Sequence, residues 1–257
     1  MKWNDKGENV YLPNEIFIEF TPYFNTIKQF SFAYCYYTYL NFLYRYCWYL
    51  KDDNTIITQS EIKSFLGYSP INKTVDKIIK DGGLLEQIGY IKTDTDYPMN
   101  PIYDEETGFV EGFEMASDIR EMVHKKDLVP YRGVRIKVPT TLLERSKVLP
   151  DNEEEREYDG TLYNVSDTFN IEFDVFTDIV GNHNLGCNGF LVYSILKSLC
   201  GTKRKFKIPQ DDLADIYKIN KRRLQDYLLA LEKENYIYVK RKRENGKYLT
   251  NTYHILR

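Results

Sequence analysis

The sequence predicts an α+β fold: two tandem modules of one plan, each a set of helices closed by a strand hairpin, with a strand-containing segment between them. Two observations carry this expectation. The same order of apolar and turn signals occurs twice in 257 residues, offset by 153 residues at the IEF motifs (18–20 and 171–173), 151 from Ile62 to Leu213 and 149 from Ile88 to Ile237. Near-constant spacing marks an internal duplication, and a chain of this length suits two domains with separate cores. The second observation is charge. Residues 197–257 hold 16 Lys+Arg against 7 Asp+Glu, a net +9, whereas the rest carries −12. The expected boundaries are 1–116 for the first module with an extended acidic hairpin, 117–168 for a connecting segment and acidic linker, and 169–257 for the basic second module.

In the first module, FIEFTPYF at 17–24 reads as a short alternating strand. The stretch 30–50 is long enough to cross a bilayer, at about 20 residues. Its tyrosines, Asn41 and Arg45 instead suit a buried helix, where each hydroxyl can find a hydrogen-bond partner, so no membrane partner is expected. The same rings would also suit a dimer interface, although core packing is favoured. A helix over 69–80 turns Val75, Ile78 and Ile79 inward and offers Asn72, Lys73, Thr74 and Lys77 as a second DNA contact, with Lys80 beyond. Gly82-Gly83 stops it. Residues 90–92 lead to an acidic turn at 104–108, after which 109–115 returns; such a hairpin repels phosphate, so this module either binds DNA weakly or supplies a protein surface for self-association. A short helix at 117–126, a strand at 134–138 and a charged linker at 151–157 complete the middle.

In the second module a strand at 170–176 precedes a helix with Phe190, Leu191, Ile195, Leu196 and Leu199 inward. Lys203, Arg204 and Lys205 follow as phosphate contacts. Asp211, Asp212 and Asp215 favour the start of a short helix carrying Leu213, Ile216 and Tyr217; residues 218–220 turn, and Asn220 caps the next helix. There Leu224, Leu228 and Leu231 form the core stripe, leaving Lys221, Arg222, Arg223 and Gln225 near the exposed N-terminal end. A helix-turn-helix places this end in the major groove, where Arg bonds guanine edges, Gln bonds adenine and Lys neutralises phosphate. Alternating Ile237 and Val239, then the Asn245-Gly246 turn signal, predict a projecting hairpin bearing Lys240, Arg241, Lys242, Arg243 and Lys247, with Tyr253 and Ile255 returning over the helices.

The run LADIYKINKRRLQDYLLALEKENYIYVKRKRENGKYLTNTYHIL, about 60 residues with its flanks, resembles the winged-helix domains of bacterial regulators and of plasmid or phage replication initiators. Two winged helix-turn-helix domains in tandem are familiar among such initiators. The resemblance therefore implies origin binding as one role for the chain, a transcription regulator being the alternative with identical groove contacts. A protein-protein adaptor with the same fold is the alternative outside DNA binding.

No GxxxxGK[ST] or GxGxxG motif is present, so no nucleotide cofactor is expected. Cys35, Cys47, Cys187 and Cys200 form no CxxC pair, and His124, His183 and His254 stand apart, so neither metal nor a catalytic constellation is expected. Tyrosine, present 23 times, can attack phosphodiesters, but the helper residues that nuclease or relaxase chemistry needs are not apparent in sequence, and the chain reads as a non-enzyme. The start lacks a secretory leader, which favours a reducing cytoplasm. The expected partners are double-stranded DNA and a second copy of the chain.

Overall fold

The computed structural model describes residues 9–51, 55–103, 110–118, 135–140, 168–241, 243–244, 247–248 and 250–257. It is α+β. Contacts group the chain into two compact units, Met1–Tyr11 with Tyr36–Ser166, and Leu12–Cys35 with Asp167–Arg257. The expected linear division at 116 and 168 does not describe this grouping, because residues 12–35 belong with the C-terminal residues.

The chain begins with β1 (Asn9–Pro13), α1 (Ile16–Phe20) and α2 (Ile27–Arg45). Residues 17–20, read from sequence as strand, are helical: Ile16, Phe17 and Phe20 are buried while Ile18 is 61% exposed, a spacing of one helical turn rather than alternation. The aromatic stretch is a buried helix as far as Arg45, five residues short of the expected end, and no described helix is long and apolar enough to cross a membrane.

Within the first unit, the second half of α2 is followed by α3 (Gln59–Phe65), α4 (Lys73–Ile79), α5 (Leu84–Gln87), β2 (Ile91–Asp94), β3 (Pro98–Tyr103), β4 (Val110–Met115) and β5 (Ile136–Pro139). Thr58 and Glu61 close a reciprocal capping box at the start of α3. α4 starts later than the expected 69 because Asn72 caps it, its Oδ1 accepting from the N–H of Thr74 at 3.0 Å. The strand partners differ from expectation. β2 pairs antiparallel with β5, Ile91 opposite Pro139 and Asp94 opposite Ile136, while β3 and β4 pair with each other. The return strand of this module is therefore β5, and the module extends past residue 116. The acidic turn at 104–108, the linker at 151–157 and most of the helix expected at 117–126 lie outside the described residues.

One buried cation ties this unit together. The Lys137 ammonium, with 1% of its side chain exposed, donates to Asp81 at 2.8 Å, to Glu86 at 2.6 Å and to the Thr93 hydroxyl, joining β5 to α5 and β2. The turn before α5 is equally constrained: a Cβ on Gly83 would lie 2.6 Å from the carbonyl oxygen of Lys80 and 2.9 Å from that of Ile78. Gly83→Ala is expected to lower stability by about 1–3 kcal/mol in urea unfolding, because backbone atoms rather than a flexible side chain must give way.

The second unit adds β6 (Thr168–Glu172), α6 (Phe173–Gly181), α7 (Gly186–Cys200), β7 (Lys205–Ile208), α8 (Gln210–Ile216), α9 (Lys221–Lys233), β8 (Ile237–Lys240), β9 (Arg243–Glu244), β10 (Lys247–Tyr248) and β11 (Asn251–Ile255). The strand expected over 170–176 ends at Glu172, and the rest is helix. An antiparallel sheet of order β7-β11-β8 packs on α7 and α9, with Tyr253, Ile255, Ile237 and Val239 on the helix side. In the core Phe17 lies 5.0 Å from Tyr34 and 5.5 Å from Phe169 between ring centroids, and Phe190 lies 4.9 Å from Phe176. On α8 Leu213 is buried, whereas Ile216 is 48% exposed.

Several backbone details recur in the two units. Gly67 and Lys218 are both left-handed after the first helix of the pair, and Gly89 and Asn235 after the second. The Tyr90 N–H donates to the Leu85 carbonyl at 2.9 Å, as that of Tyr236 does to Leu231 at 3.0 Å. Ile237 therefore corresponds to Ile91, not Ile88, and the IEF motifs match a helix with a strand end. Where α9 is continuous, the first unit has α4, a Gly82-Gly83 turn and α5.

Candidate nucleic-acid interface

The candidate interface begins at the α8–α9 turn. Lys218 adopts a left-handed backbone (φ 51°), and the Ile219 N–H donates to the Ala214 carbonyl at 2.9 Å. Asn220 caps α9 as the sequence predicts: its Oδ1 accepts from the N–H groups of Arg222 at 3.1 Å and Arg223 at 3.2 Å. Leu224, Leu228 and Leu231 are fully buried and hold the helix down. Rotation by 3.6 residues per turn then leaves Lys221, Arg222 and Arg223 exposed, with Gln225 half-buried beside them.

These four side chains are not equivalent. The Lys221 ammonium lies 3.2 Å from Asp211 and 3.9 Å from Asp215, so α8 already shares its charge. Arg222 and Arg223 form no ion pair among the described residues. Asn220→Ala is expected to lower stability by about 1 kcal/mol in thermal unfolding, because it removes the acceptor for two N–H groups of the first turn.

The hairpin cations divide further. Glu244 pairs with Lys247 and Arg243 with Tyr248, the register that a two-residue connection at 245–246 requires. Lys242 and the Asn245-Gly246 turn signal lie outside the described residues, and for Arg243 and Lys247 only the strand is described. Arg241 is engaged internally, its guanidinium donating twice to Glu232, once at 3.1 Å. Glu232 also accepts from the Val239 N–H at 2.9 Å, so this pair fixes the base of the hairpin to α9.

Lys203, Lys205, Lys240 and Arg241 line a concavity of about 930 Å³ with Phe206, Lys207, Thr250, Thr252 and His254. Alternation along β7, β8 and β11 puts Lys205, Lys207 and Lys240 on the sheet face turned away from the helices. Arg204, also exposed, sits in a left-handed conformation just before β7. Among the described residues, the cations proposed from sequence as one interface thus form two groups, one at the start of α9 and one on the outer sheet face. Sequence reasoning passed over Lys207, Tyr238 and His254, although Lys205-Phe206-Lys207 and Tyr238-Val239-Lys240 carry the alternation that reveals them.

In the first unit Lys73, Thr74 and Lys77 are exposed on α4, while the Asn72 carbonyl oxygen is spent on the cap. Asp76 on the same helix pairs with Lys63 at 2.7 Å. Among the described residues no group of three His, Cys, Asp or Glu side chains is placed to hold a metal ion. Comparison with protein-family profiles, curated proteins and solved structures found no match.

Proposed function

We propose that the second module is a winged helix-turn-helix that binds double-stranded DNA sequence-specifically, the first module being a diverged copy, and that the chain acts in the cytoplasm as a replication initiator. The observation that carries this reading is the exposed start of α9, where Arg222 and Arg223, without ion pairs among the described residues, project from a capped helix anchored by three buried leucines. The order helix, strand, two helices, strand, hairpin, strand, with the returning strand central in the sheet, supports it. In this arrangement α9 enters the major groove and the β9–β10 hairpin flanks it. A transcription regulator would use the same contacts; repeated target sites at an origin favour initiation and a promoter operator favours regulation.

A protein contact is the second reading for the first module, and Ile71 favours it. This side chain is 84% exposed in the turn before α4, beside an engaged Asn72 and a paired Asp76. A second copy of the chain is the simplest partner.

Selection from a random duplex library at two salt concentrations tests the main reading. One enriched motif is expected, with affinity falling as salt rises by about 0.9 log unit per log unit of salt for each phosphate contacted. A palindrome with half-sites about one helical turn apart identifies a two-fold dimer. Absence of salt-dependent binding refutes the DNA reading and leaves the adaptor.

A further inference from the structure

The outer face of the C-terminal sheet is a surface that groove reading by α9 does not use. β11 runs between β7 and β8, so Thr252 lies opposite Lys207 on one side and Lys240 on the other, and His254 opposite Lys205 and Tyr238. With strands about 4.8 Å apart, the two lysines flanking Thr252 are about 10 Å apart across the sheet, and Lys205 lies about 7 Å along from Lys207. Lys203 extends the row. Among the described residues, none of these four lysines forms an ion pair and no acidic side chain lines the concavity they share. At the edge of this field Tyr238 is 53% exposed, its ring 5.7 Å from that of His254 and tilted by 38°.

Unneutralised ammonium groups gathered in one hollow attract a polyanion. The aromatic pair selects which one. A duplex keeps its bases stacked on one another and offers a sheet face only phosphate, whereas a single strand also presents base faces that an exposed ring can stack on. An acidic protein would make use of the lysines but not of the rings. We infer that this sheet face binds single-stranded nucleic acid, with Lys203, Lys205, Lys207 and Lys240 along its phosphates and Tyr238 stacking on a base. Because α9 packs on the opposite face of the sheet, the two surfaces serve different ligands.

The test uses the full chain and a fluorescently labelled thymidine oligonucleotide of about 20 nucleotides, a length chosen to exceed the usual site of one small domain. Salt-dependent binding is expected. Tyr238→Ala should weaken it about tenfold, the loss of one stacked base, while Tyr238→Phe retains it. Lys205→Glu with Lys207→Glu should weaken it further and lower the salt slope by about 1.4, two single-strand phosphate contacts. Arg222→Ala with Arg223→Ala should leave oligonucleotide binding within about twofold while removing duplex selectivity, which separates this inference from the reading of α9. Binding of duplex alone, an unchanged Tyr238→Ala variant, or equal competition by polyglutamate at matched charge would each overturn it.

Discussion

Arg222→Ala combined with Arg223→Ala is expected to abolish motif selection and weaken duplex binding by about 2–6 kcal/mol, since each guanine-reading arginine is worth about 1–3 kcal/mol. Folding should be spared. Both side chains are exposed, and the cap on α9 is made by their backbone N–H groups, which alanine retains. Unfolding midpoints within about 0.5 kcal/mol of the parent, measured beside the binding loss, would locate the effect in recognition. Lys221→Ala is expected to cost less than either arginine, because Asp211 at 3.2 Å already neutralises part of its charge. Equal losses on every duplex sequence for both arginines would show that the helix start holds phosphate and does not read bases.

Glu86→Gln is expected to lower the stability of the first unit by about 2–3 kcal/mol, because it removes a charged acceptor from a buried ammonium. Lys137 would keep Asp81, but Asp81 is half exposed and cannot alone replace the desolvated Glu86 contact. Lys137→Met should cost at least as much, because it leaves the mostly buried Glu86 carboxylate beside Asp81 without the cation they share. Urea unfolding of the two variants checks the order.

Acid should act on the same cluster. The hydrogen bond from Lys137, followed by that from Thr93, holds the Asp81 carboxyl below its ordinary value. Burial pushes Glu86 upward, but hydrogen bonds from Lys137, Thr93 and the Gly82 N–H outweigh it and leave a net lowering. Both groups therefore bind protons more weakly folded than unfolded. Their stabilisation is complete above the unfolded values of about 4 and is lost as pH falls through the lower folded values. Glu86→Gln should show a shallower loss of stability over that acid range.

What was legible in the sequence followed short-range rules. Leu224, Leu228 and Leu231 gave the buried stripe of α9, Asn220 its cap and Gly82-Gly83 the stop after α4, each decided within a few residues. Period misled at 17–20, where four residues fit either alternation or one turn of helix, and only the exposed Ile18 with buried Phe17 and Phe20 distinguishes them. Long-range pairing was hidden. β2 meets β5 more than forty residues later across an intervening hairpin, so the nearer segment 109–115 looked like its partner. The grouping of residues 12–35 with the C-terminal residues depends on contacts such as Phe17 with Phe169, which no local pattern announces. The outer sheet face escaped for a similar reason: Lys205, Lys240 and His254 become neighbours only through the β7-β11-β8 register.

The turn between α8 and α9 holds a last consequence. Its left-handed position is Lys218, where the corresponding turn of the first unit has Gly67. A side chain there costs about 1 kcal/mol that glycine would avoid. Lys218→Gly should therefore yield a more heat-resistant protein with one cation fewer beside α9. The left-handed site sets heat resistance against a positive charge two residues before Asn220, so that on the DNA-binding proposal the most stable form and the most strongly binding form are different sequences.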